Sequence, residues 1–149
     1  MNKKCLNIFP MLIIMGIMTT LMNFLNSVLA TETGLYYSGL IIHIVGLFIS
    51  FILFIMFEKK EYKSWSSILK ENPIIFLGGV IGAAAVLLVS YCINNIGMFA
   101  TTVTMIAGQF LISFLIDSKG WFGFDKVKIT LNKKIAVVFM CFGIILIIM

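Results

Sequence analysis

Asn23, Asn26, His43, Tyr91, Asn94 and Gln109 stand inside, or at the ends of, long apolar runs. An amide both donates and accepts hydrogen bonds and carries no charge. These six are the candidate substrate-binding residues, and the chain does not specify the substrate. His43 is the one histidine. It could titrate near neutral pH, and an ionisable group inside a membrane is a functional candidate by default. The plainer alternative is a neutral ring bonded to a neighbouring helix. No second ligand stands at a metal-binding spacing from it. The cysteines, Cys5, Cys92 and Cys141, are odd in number and lie in or beside apolar runs. They read as small buried hydrophobes and not as a disulfide framework. No catalytic residue, metal or cofactor is expected, and no enzymatic activity.

The polar residues fall into stripes at helical spacing. Thr19, Asn23 and Asn26 form one, Gly39, His43, Gly46 and Ser50 a second, and Thr102, Gln109 and Ser113 a third. Gln109 lies about eleven residues, or ~16 Å, from the outer end of its run, close to a membrane midplane. Buried amides at that depth either hold helices together or contact substrate, and the sequence leaves both open. Asp117 closes the same run as an end-cap or a partner for nearby lysines. No carboxylate lies within the first three runs, which weighs against exchange of protons for organic cations.

The elements carrying these residues must be membrane helices. Of the 149 residues 61% are hydrophobic, and mean hydropathy is +1.12, whereas soluble domains hold about 45–50% apolar residues. Such an excess is tolerated where side chains face lipid. Charged residues make up 11% and the net charge is +5. All eleven basic residues are lysines beside apolar runs. A nucleic-acid partner is not expected, and flanking charges that set membrane orientation are the better account.

The runs predict a single five-helix membrane domain over residues 1–149, with spans at about 6–30, 35–57, 73–93, 98–116 and 135–149. A cleaved signal peptide ending at Val28-Leu29-Ala30 is disfavoured because the first run is too long. Short breaks are expected at Thr31–Gly34 and Asn94–Gly97. Glu58–Asn72 is either a solvated loop or a surface helix with Trp65, Ile68 and Leu69 on one face. Trp121, Phe122 and Phe124 read as interface anchors. The fifth span is short, since fifteen residues rise about 22 Å against a hydrocarbon core of ~30 Å. Five spans place every lysine on one side, which predicts an inside N-terminus and an outside C-terminus. Gly78 and Gly82, then Ala100, Thr104 and Gly108, give the third and fourth spans small faces for close helix packing.

The segment from Pro73 to Asp117 resembles the YdcZ-like family of the drug/metabolite transporter superfamily. The likeness rests on Gly79-x-x-Gly82, Asn95-x-Gly97-x-x-Ala100-Thr101-Thr102, Ala107-Gly108-Gln109 and Asp117 with Gly120. Asn26-x-x-Leu29 and His43-Ile-Val-Gly46 extend it over the first two spans, while Met22 replaces a glutamine common in that family. The resemblance implies one half of an inverted-repeat transporter in a bacterial inner (plasma) membrane, exporting a small molecule of unspecified identity. It further implies work as an antiparallel pair. The eleven-to-none lysine split argues against one sequence inserting both ways. A second five-span protein of opposite orientation is therefore the expected partner, with a homodimer as the alternative and lipid as the surroundings. The rival readings are a non-transporting membrane scaffold or accessory subunit, and a channel.

Overall fold

The computed structural model describes residues 3–58, 65–71, 73–121, 126–127 and 130–148, and every regular element in them is helical. Phe122 and Phe124 lie outside the described residues, as do Lys59, Lys60, Lys63 and Lys128 and the side chains of Cys5 and Trp65. The helices are α1 (Lys3–Thr33), α2 (Leu35–Phe57), α3 (Trp65–Glu71), α4 (Leu77–Ile96), α5 (Met98–Lys119) and α6 (Leu131–Ile148), with a 3-10 turn at Pro73–Phe76 leading into α4. Four stretches are long and apolar enough to cross a membrane: Ile8–Thr33, Leu35–Phe57, Pro73–Ile96 and Met98–Lys119. α6 starts at Leu131, ahead of Lys133 and Lys134, so the final helix is longer than its apolar run alone. Its eighteen residues rise about 27 Å. The stretch expected as a loop or surface helix forms α3 over Trp65–Glu71.

The two short breaks contract to one residue each. Helix α1 continues through Thr31 and Glu32, and α4 continues through Asn94 and Asn95, leaving only Gly34 and Gly97 outside helices. Asparagine favours turns in water because its amide competes for backbone groups. In α4 the competition is resolved within the helix, where Asn95 Nδ2 donates to Tyr91 O at 2.7 Å. Gly34 has φ 89° and ψ 152°, and Gly97 has φ 85° and ψ 164°. That region is essentially closed to residues with a Cβ. Each glycine is followed four positions on by a buried hydroxyl residue whose backbone N–H bonds back to it. Ser38 N donates to Gly34 O at 2.9 Å and Thr101 N to Gly97 O at 3.3 Å. Thr101 Oγ1 also donates to Gly97 O, at 2.8 Å.

The chain forms two compact units, residues 1–95 and 96–149. In the first, α1 packs on α2, and their Gly34 ends meet the C-terminal half of α4. The side chains buried there are small or polar: Asn23, Asn26, Ser27, Ala30, Ser38 and Ser90. Lipid is as apolar as leucine, so membrane helices associate through close packing and hydrogen bonds, not through hydrophobic burial. Small residues allow the approach. At Gly39 an added Cβ would come within 2.5 Å of Leu87 Cδ2, so the Leu87 side chain of α4 lies against the α2 backbone there. The large side chains Leu47, Phe48, Phe51 and Phe54 of α2 are exposed, as lipid-facing positions require.

In the second unit α5 packs on α6, and Thr101 and Ala107 are buried. Val127 N donates to Asp117 O at 2.9 Å. Lys119 Nζ sits 4.6 Å from the Trp121 ring centroid, a cation–π distance.

Candidate functional site

The stripe on α1 turns its polar face inward. Asn23 and Asn26, one turn apart, are 6% and 8% exposed. Ser27 and Ala30 continue the same face, because residues three and four apart share one side of a helix. In the same unit Ser38 of α2 is 1% exposed and Ser90 of α4 2% exposed. Asn94 joins the cluster by donating from Nδ2 to Ser27 O at 3.4 Å, a long bond between α4 and α1. Asn94 itself is exposed, at the edge of a buried group of amides and hydroxyls with no charged side chain among its members.

These polar groups differ in how far they are satisfied. Ser27 Oγ donates to Phe24 O and Ser38 Oγ to Leu35 O, both at 2.8 Å. Each hydroxyl proton is thus used within its own helix, leaving the oxygen lone pairs as acceptors. Asn26 Nδ2 is buried and has no hydrogen-bond partner. A buried donor left unmade costs about 1–3 kcal/mol. Asn26 Nδ2 is thus a buried donor without an acceptor.

His43 and Tyr91 are exposed and line two open grooves along the α2–α4 seam. One, of about 280 Å³, is walled by Tyr36, Gly39, Leu40, His43, Ala83 and Leu87. The other, of about 330 Å³, shares Tyr36 and Leu87 with it and adds Tyr91. His43 Nδ1 lies 2.7 Å from Gly39 O. A carbonyl only accepts, so Nδ1 carries the hydrogen, and in the neutral ring Nε2 is left as an acceptor. The bond runs to its own helix, so the expectation of a histidine tied to a neighbouring helix is corrected.

Asn23, Asn26 and Asn94 are therefore brought together, and His43 and Tyr91 lie along the adjoining seam. Gln109 is exposed on α5, in the second unit. Of the small-face residues, a Cβ at Gly78, Gly82 or Gly108 would meet nothing within 4 Å; Ala100 is half-buried and Thr104 exposed. Among the described residues no group of His, Cys, Asp and Glu could hold a metal ion. Sequence reasoning missed Ser27, Ser38 and Ser90. The one available signal was that Ser27 extends the Asn23–Asn26 face and Ser38 precedes Gly39 on the stripe of small residues.

Long apolar helices that bury a neutral polar cluster, with their large hydrophobic side chains turned outward, define an integral membrane protein. A family model described as "Putative inner membrane exporter, YdcZ" matches residues 8–146, nearly the whole chain. The chain belongs to that family and is a multi-pass protein of the inner membrane. No match was found among curated proteins or among solved structures.

Proposed function

We propose that this chain is a non-enzymatic, five-span subunit of a small-molecule exporter that works as one half of a pair of opposite orientation. The observation that carries the reading is the unpartnered Asn26 amide within a buried, uncharged polar cluster. A purely structural amide would be expected to find a partner, whereas a carrier must leave a donor for its cargo. Family membership supports export as the direction. In transporters built from inverted repeats the site lies near the bilayer midplane between repeats. A second five-span chain would complete this one and cover the small faces at Gly78, Gly82 and Gly108.

In this reading Asn23, Asn26 and Asn94 hold the solute by hydrogen bonds, and His43 Nε2 and Tyr91 contact it along the α2–α4 seam. The uncharged lining favours a solute with carbonyl or hydroxyl oxygens over an organic cation, which would lack a counter-charge. Lys133 and Lys134 of α6 snorkel to the interface, and the N-terminus is inside and the C-terminus outside.

The test is flux in proteoliposomes containing this chain, alone and with its five-span neighbour, loaded with a mixture of small metabolites. Saturable exchange supports the carrier. Flux that only follows a gradient without saturation would make it a channel, and no flux in either preparation would make it a scaffold.

A further inference from the structure

A second candidate site lies in the 96–149 unit, in a cavity of about 150 Å³ lined by Phe110, Ser113, Phe114 and Asp117 of α5 and Lys133 of α6. A carboxylate and an ammonium thus border one small space, and among the described residues no ion pair joins them. The backbone positions both. Asp117 lies in the last turn of α5, its carbonyl bonded by Val127 N at 2.9 Å. Lys133 lies in the first turn of α6, its N–H donating to Thr130 O at 3.1 Å. Lys119, the nearest cation along the helix, sits over the Trp121 ring.

The helix ends reinforce both charges. The C-terminal end of α5 carries partial negative charge beside Asp117, and the N-terminal end of α6 carries partial positive charge beside Lys133. The cavity is therefore dipolar, with Asp117 suited to a cation, Lys133 to an anion, and two phenyl rings also in its lining. Its depth matches the membrane surface, because the apolar run of α5 ends at Ile116, just before Asp117. Below that level Leu111 and Leu115 of α5 and Ile135, Val138 and Phe139 of α6 are exposed for acyl chains.

We propose that this cavity holds the headgroup of a zwitterionic phospholipid with a primary ammonium, phosphatidylethanolamine. Its ammonium sits against Asp117 and its phosphate against Lys133 and the first turn of α6. The volume is well below the roughly 300–1,000 Å³ of sites for drug-sized solutes. A primary ammonium can donate hydrogen bonds to the Asp117 carboxylate, whereas a trimethylated one has no N–H to donate. The exposed apolar flank beneath favours a lipid over a free phosphoethanolamine.

The full-length chain in detergent would be offered equal amounts of phosphatidylethanolamine, phosphatidylcholine and phosphatidylglycerol, and retention read by native mass spectrometry. Phosphatidylethanolamine should be retained roughly fivefold over phosphatidylglycerol, the factor expected of one well-placed surface charge contact. Asp117→Asn should abolish that preference and leave phosphatidylglycerol retention and helicity by circular dichroism unchanged. Lys133→Gln should lower retention of all three. Equal retention of the three lipids by the wild-type chain, or either variant without effect, overturns the site. Displacement by millimolar O-phosphoethanolamine overturns the lipid assignment in favour of a soluble zwitterion.

Discussion

Replacing Gly97 by alanine isolates the energetic role of the single-residue helix connections. Gly97 holds φ 85° and ψ 164°, and a Cβ built on it would meet no atom within 4 Å. Steric clash with neighbours is thus removed as an explanation, and any loss comes from the backbone. A residue with a Cβ in this region costs of order 1–3 kcal/mol, about a five- to 150-fold shift in the folded-to-unfolded ratio. Gly16→Ala is the matched control. Gly16 lies within α1, also with nothing within 4 Å of a Cβ, where alanine is favoured over glycine by up to about 1 kcal/mol. Equilibrium unfolding in mixed micelles titrated with a denaturing detergent should show Gly97→Ala less stable than wild type and Gly16→Ala equal or more stable. Gly34→Ala should behave as Gly97→Ala, because its backbone lies in the same region. If Gly97→Ala and Gly16→Ala were indistinguishable, the glycine-only connection would be refuted.

Gln109→Leu should retain expression and membrane insertion, because it makes α5 more apolar, and should lower transport; normal transport with an unchanged substrate range would leave Gln109 as a packing residue. Single cysteines at Thr33 and Ser66 in a cysteine-free background should label oppositely with an impermeant thiol reagent in intact cells, Thr33 strongly and Ser66 weakly, and the reverse would invert the proposed orientation. A C-terminal reporter active on one side of the membrane should signal from the outside alone when this chain is expressed by itself. Substantial signal from both sides would show dual insertion and remove the need for a second gene product.

The helices were legible because their apolar runs are long and their interruptions short. The Asn23–Asn26 face was legible from spacing alone, and burial of both amides follows that pattern. The extent of α4 was not. Asn94 and Asn95 are turn-formers by local preference, yet one bonds across to Ser27 O and the other to its own Tyr91 O, so helix continues to Gly97. Nor were Ser38 and Ser90 legible as core. A lone serine in an apolar run is tolerated facing lipid or protein alike, since its hydroxyl can bond its own helix, as Ser38 does with Leu35 O. Which of the two it faces depends on contacts between residues distant in sequence, such as that of Leu87 with Gly39. The cavity at Asp117 likewise needs Lys133 brought to it by the packing of α6 on α5.

The central claim is that the buried amide cluster binds the exported solute, and it is tested most directly with Asn26. Inside-out vesicles bearing this chain and its partner would be offered a pool of small metabolites, and uptake compared between wild type and Asn26→Leu at matched protein levels by mass spectrometry. The account predicts at least one solute taken up saturably by wild type and roughly two- to tenfold less by Asn26→Leu, the loss expected for one neutral hydrogen bond, with helicity and insertion retained. Equal saturable uptake by both would contradict it and return the Asn26 cluster to a packing role.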